Sequence, residues 1–207
     1  MSEVFQKRRE KLRSRLNEHG MDSYLVLHPA NRYYLSGFEL HDPQCNESAG
    51  ALVISAQGKD WLCTDPRYLE AAKRVWPEEA ISIYRNKRTP ALADFLSKQG
   101  LGRLGVETKI ISHELFAALE PSLSLVPHLG LVEELRVIKD ELELQLMTDS
   151  CRLNHTVFSL LPAWLEPGRT EQELAWLIER SFREHGATEL AFPPIVAVNT
   201  NAALPHS

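Results

Sequence analysis

The chain has 207 residues, enough for one large domain or two modest ones with a real core. Hydrophobic residues make up 43% and charged residues 25%, which excludes disorder; 23 Lys and Arg against 28 Asp and Glu give a net charge of −5, which argues against nucleic acid as a partner. Cys45, Cys63 and Cys151 lie far apart with no C-x-x-C, which excludes a disulfide framework or zinc knuckle and favours a reducing cytoplasm. The N-terminus is charged rather than signal-like, and no apolar run of about 18 residues is present to span a membrane.

Residues 4–18 predict a helix with a narrow apolar stripe of Val4, Phe5, Leu12 and Leu16 and a C-terminal stop at Gly20. Its basic side chains, Lys7, Arg8, Lys11 and Arg15, are expected on a solvated face diluted by Glu3, Glu10 and Glu18. Short apolar runs at 24–27, 51–55, 61–64, 81–84, 104–107 and 123–126 predict strands. Helical stretches fall between them. Asp65-Pro66 reads as an N-cap with proline at the first helical position, opening a helix to about residue 75. Thr89-Pro90 repeats the device up to Gly100, and Ser112 caps a third helix that ends before Pro121. The alternation predicts an α/β domain over 1–130.

After Gly130 the pattern becomes helical. Residues 135–165 predict one long helix, with Pro162 near its end. Thr170 and Glu173 form a capping box that stabilises the next helix, to His185, by roughly 1 kcal/mol. Residues 189–198 predict a strand interrupted by Pro193-Pro194, and 199–207 a loop. Two helices and one strand make a poor core, so 131–207 reads as an unfinished second domain.

Compact catalytic motifs are absent. The eight histidines show no H-x-x-x-H or H-E-x-x-H spacing, and there is no glycine-rich phosphate loop and no G-x-S-x-G elbow. Asp65 with Arg67 could pair an acid with an anion clamp, but the capping role of Asp65 is the stronger reading. Cys63, in an apolar strand, reads as a buried inert thiol. One long polar loop, residues 39–48, places His41 beside Asp42 and is expected either to connect or to touch a ligand.

Several segments together resemble the creatinase, aminopeptidase P and prolidase group of metallopeptidases. They are Asn31-Arg32-Tyr33-Tyr34-Leu35-Ser36-Gly37-Phe38, Leu62-Cys63-Thr64-Asp65-Pro66-Arg67-Tyr68, Leu104-Gly105-Val106-Glu107 and the linker-like Arg136-Val137-Ile138-Lys139-Asp140-Glu141-Leu142-Glu143. Further on, Leu165-Glu166-Pro167-Gly168-Arg169-Thr170-Glu171, Phe192-Pro193-Pro194-Ile195-Val196-Ala197 and Asn201-Ala202-Ala203-Leu204-Pro205-His206-Ser207 also fit. The resemblance implies a ribonuclease H-like creatinase-type N-terminal domain, 1–130, followed by the opening of an α+β pita-bread catalytic domain, 131–207. It also implies hydrolysis of Xaa-Pro peptides by two divalent ions (Mn, Co or Zn) held by two Asp, one His and two Glu, in a homodimer. Paired cations lower the pKa of bound water toward about 7 and polarise the carbonyl.

The family's metal ligands all follow the segment matched by His206, and here the last Asp is Asp149 and the last acid Glu189. No metal is therefore expected on this chain. His206 is expected, by resemblance, to contact substrate near the scissile carbonyl. His41 and Asp42 are expected to meet a peptide terminus in the partner's active site. Asn199 stands where the family often has Gly, and Asn tolerates the left-handed backbone. Two readings follow. In one, the chain is the amino-terminal part of a proline-specific dipeptidase or aminopeptidase, cut short. In the other, it is a non-catalytic creatinase-like domain used for dimerisation or binding.

Overall fold

Every residue of two central strands is buried, because both faces of their sheet are covered. The structure is a computed structural model and describes residues 3–38, 50–85 and 87–205. In chain order the elements are α1 (Glu3–Glu18), β1 (Ser23–Val26), α2 (Pro29–Ser36), β2 (Gly50–Ser55), β3 (Trp61–Thr64), α3 (Leu69–Lys73), β4 (Ile81–Ile83), α4 (Arg88–Ser97), β5 (Arg103–Glu107), α5 (His113–Leu119), β6 (Ser124–His128), α6 (Leu131–Val137), α7 (Glu141–Trp164) and α8 (Glu171–Glu184). They fall into two compact units, Met1–Ile138 and Lys139–Ser207.

The first unit is a six-stranded mixed sheet in the order β4-β3-β2-β1-β5-β6. β1, β5 and β6 run parallel, β3 and β4 run parallel, and β2 is antiparallel to both its neighbours. The period of two divides the core. Tyr24, Val26, Leu52 and Ile54 face one cluster with Leu12 and Leu16 of α1 and Leu131 and Val132 of α6. Leu25, Leu27, Ala51 and Val53 face the other, with Leu92 and Leu96 of α4 and Leu115 and Leu119 of α5. Gly105 is needed beneath the Tyr24 ring, since a Cβ there would collide with Tyr24 and with the Met21 sulfur.

Several expectations change. The basic side chains of α1 are not all solvated: Arg8 is buried, with its guanidinium 4.2 Å from the Tyr34 ring centroid and donating to the Tyr34 carbonyl at 3.1 Å. Arg9, also buried, donates to the Leu35 carbonyl at 2.7 Å, at the C-terminal end of α2 where carbonyls lack helical partners. The helix after Asp65 is split into a 3-10 turn, Pro66–Tyr68, and α3. Thr89 lies inside α4, whose N-cap is Lys87 with no side-chain bond, because α4 begins one residue before Thr89. Ser112 does cap α5, its hydroxyl accepting from Leu115 N.

The long helix expected over 135–165 is two helices. Ile138 is extended, and Asp140 starts α7 with a capping box in which Asp140 accepts from Glu143 N and Glu143 from Asp140 N, both at 3.0 Å. The division after Ile138 rather than 130 follows from Leu131 and Val132, which are fully buried in the first core.

In the second unit, α7 and α8 pack together, and α8 opens on the Thr170–Glu173 capping box. Residues 189–198 form no strand. Pro193 and Pro194 lack N–H groups, and Val198 N donates instead to Glu171 at 2.6 Å. Asn199 has φ of 53°, the left-handed turn that Asn tolerates.

Candidate functional site

The parallel strands β1, β5 and β6 end at one edge of the sheet, the place where ligands commonly sit in such sheets. There the chain brings together His28 after β1, Glu107 closing β5, His128 closing β6, and Asn31, Glu133 and Arg136 from α2 and α6. Glu107 is 4% exposed. Its carboxylate accepts from Leu27 N at 2.6 Å, His28 N at 2.7 Å and Asn31 Nδ2 at 2.7 Å. A carboxylate from a distant strand thus serves N–H groups at the start of α2, where a helix leaves donors unsatisfied. Three donors offset the cost of burying it.

Asn31 is fully buried and carries the network onward. Its Nδ2 also donates to Glu133 at 2.9 Å, and its Oδ1 accepts from Arg136 at 2.8 Å. Beside it lies a small cavity of about 120 Å³, lined by Glu107, Lys109, Ile110, His128, Leu129 and Glu133 among others. The His128 ring stands edge-on to His19, centroids 4.7 Å apart. Burial, and then His19, push its pKa below the ordinary histidine value. Burial raises the Tyr24 phenol well above its usual range, and the nearby Glu107 and Glu133 add to this.

A larger groove of about 430 Å³ opens between α1 and the region of Trp76. Asp60 is paired there with Arg13 and lies 3.5 Å from Arg9, whose guanidinium sits 4.9 Å from the Trp76 ring centroid.

Neither place joins a nucleophile to a base. Among the described residues no group of three or more His, Cys, Asp or Glu could hold a metal ion. The described residues do not fit a two-metal centre.

The sequence-derived candidates fall as follows. His41, Asp42 and His206 lie outside the described residues, as does Cys45. Asp65 caps the 3-10 turn through Arg67 N at 2.8 Å and holds the Arg67 guanidinium at 2.7 Å; that bond to Arg67 lowers its pKa. Cys63 is fully buried, and burial pushes its thiol up to about 12 against the pull of Arg88, which leaves it unreactive. Sequence reasoning missed Asn31, Glu107, Glu133 and Arg136 as a group. The available signals were an acid closing the apolar run Leu104-Gly105-Val106 and the presence of Asn31, Glu107 and Arg136 in three of the family-like segments.

Residues 8–138 match the family model described as Creatinase/Prolidase N-terminal domain, and residues 145–207 that of Metallopeptidase family M24. The uncharacterized peptidase YqhT of Bacillus subtilis is 30% identical over 200 residues, covering 95% of this chain and 54% of YqhT. An Xaa-Pro dipeptidase structure from Bacillus anthracis is similar with a TM-score of 0.83 at 27% identity, covering 98% of this chain and 55% of that one. The N-terminal domain of the cytoplasmic peptidase PepQ from Mycobacterium tuberculosis gives a TM-score of 0.53 at 30% identity, covering 62% of this chain and 98% of that domain. The chain spans about half the length of the curated relatives it matches.

Proposed function

The chain belongs to the creatinase/prolidase N-terminal domain family, and from that premise we propose that it is the amino-terminal part of a proline-specific metallopeptidase that hydrolyses the peptide bond before proline. The observation that carries this is the pair of family matches in consecutive order, residues 8–138 and then 145–207. The likeness to an Xaa-Pro dipeptidase structure over 98% of the chain supports the substrate class.

In this reading the first unit is a scaffold, and two divalent ions are held by residues outside this sequence. His206 contacts substrate near the scissile carbonyl, and His41 with Asp42 approaches a peptide terminus in a homodimer; both roles rest on the resemblance alone. A second reading is a non-catalytic creatinase-like domain used for association; the match of residues 8–138 to the Creatinase/Prolidase N-terminal domain favours it.

One experiment separates the two readings. A longer protein carrying these residues, loaded with Mn²⁺ or Co²⁺, is expected to cleave Xaa-Pro dipeptides in preference to Xaa-Ala, while the 207-residue chain alone does not. Turnover by the chain alone would overturn the placement of the metal site. Absence of Xaa-Pro cleavage by the longer, metal-loaded protein would leave the association reading.

A further inference from the structure

Thr170 and Glu173 cap the start of α8, and the carboxylate between them, on Glu171, turns instead to the chain that returns past it. It accepts from Val198 N at 2.6 Å on Oε1 and from Asn201 Nδ2 at 2.9 Å on Oε2 (3.2 Å on Oε1). Val198 and Asn201 are the first and last residues of a reverse turn, which Asn201 N closes by donating to the Val198 carbonyl at 3.1 Å. Asn199 within it has φ of 53°, in the left-handed region. One carboxylate thus grips both ends of a turn 27 and 30 residues away in sequence. The 3-10 turn Asn201–Ala203 follows at once and leads through Leu204 and Pro205 to His206. We propose that Glu171 is a positioning residue for His206: by tying the turn Val198–Asn201 to the first residue of α8, it sets the course of the chain into His206 and so its approach to the scissile carbonyl. The role rests on the peptidase reading of the longer protein.

The chemistry of the grip suits that task. Residues 198–205 are exposed on this chain, so burial here does little to fix their course. A carboxylate at the first residue of a helix sits where the helix dipole favours negative charge. Bonds to an ionised acceptor are shorter and stronger than those between neutral groups. A single contact would leave the turn free to swing about it; contacts on both carboxylate oxygens, to the backbone at one end and a side chain at the other, fix its orientation as well. Orientation matters for a group that meets the reacting atoms, because a displacement of about 1 Å can cost about 100-fold in rate.

Kinetics of the longer, metal-loaded protein on an Xaa-Pro dipeptide test it. Glu171→Ala removes both contacts and is expected to lower kcat/KM about tenfold or more, with metal content unchanged. Asn201→Ala removes one contact from an exposed turn, is expected to give a several-fold loss, and decides the matter should Glu171→Ala fail to fold. His206→Ala is expected to cost at least as much as either. Adding Glu171→Ala or Asn201→Ala to His206→Ala is expected to cost nothing further, since both act through His206. Wild-type kcat/KM in Asn201→Ala and in any folded Glu171→Ala would overturn the positioning role. So would losses that multiply with that of His206→Ala, which would make Glu171 a structural residue of the fold. Either result would leave the peptidase reading standing, whereas absence of Xaa-Pro cleavage by the unaltered protein would overturn that reading and the role together.

Discussion

Residues 3–138 and residues 139–205 stay folded by different means. In the first unit, strands and helices far apart in sequence bury apolar side chains on both faces of one sheet. In the second, Val157 and Ile178 are the buried hydrophobic residues among those described, while Leu146, Met147, Phe158, Trp176 and Phe192 are each more than half exposed. What the second unit has instead is local. Both its helices open on capping boxes, and Arg180–Glu184 and Arg183–Glu179 add exposed pairs four residues apart. Non-local burial stabilises one unit, and caps with short-range pairs define the other.

The largest expected effect tests that contrast directly. Leu52→Ala empties a fully buried site between the sheet and α1 and is expected to cost ~2–5 kcal/mol in urea denaturation. Leu146→Ala, on an exposed stretch of α7, is expected to cost no more than ~0.5 kcal/mol. Equal losses would show that the second unit also relies on a buried core. A middle-sized effect comes from the caps. Thr170→Ala removes one half of a capping box and Ser112→Ala a single cap, each worth about 1 kcal/mol to its helix. Because α8 has little burial behind it, Thr170→Ala is expected to lower helical content measurably by circular dichroism. Ser112→Ala should lower the midpoint of the first unit while leaving helicity intact, since Leu115 and Leu119 hold α5 in place. Loss of helicity in both variants would erase the distinction.

This contrast explains what was legible in the sequence. Period-two alternation and caps are local signals, and β3 lies at the expected residues 61–64 and the Thr170–Glu173 box where its spacing placed it. Asp140 and Glu143 carry the same type of signal, but the continuous apolar pattern from 135 onward hid the break before them. The strand expected over 189–198 failed because a strand needs a partner, and pairing is not written into a single segment. The site was harder still. Asn31 and Glu107 are 76 residues apart and Asn31 and Arg136 are 105 apart, so each looked like part of its own element. Only the sheet order that sets β1 beside β5 brings them together.

The smallest effect sharpens the comparison through pH. In the first unit His128 is packed against His19, and burial holds its pKa below the ordinary value. The groups facing it are His19, just after α1, and Arg15 from α1, which push it lower, and Glu134 from α6 together with a backbone bond at Leu129, which oppose them. An imidazole held lower in the folded state binds fewer protons folded than unfolded within the window between the two values. The stability it confers is therefore fully present above about pH 6.5, the usual unfolded histidine value, and is lost as pH falls through that window toward the folded value. Between pH 7.5 and 5.5 few carboxylates titrate, so the slope there reports on histidines. The urea midpoint of the first unit is expected to fall over this range, and His128→Gln is expected to flatten the fall. His155→Gln, on the exposed surface of α7, should leave it unchanged. A slope that survives His128→Gln and disappears with His155→Gln would move the pH-sensitive packing into the second unit and break the comparison.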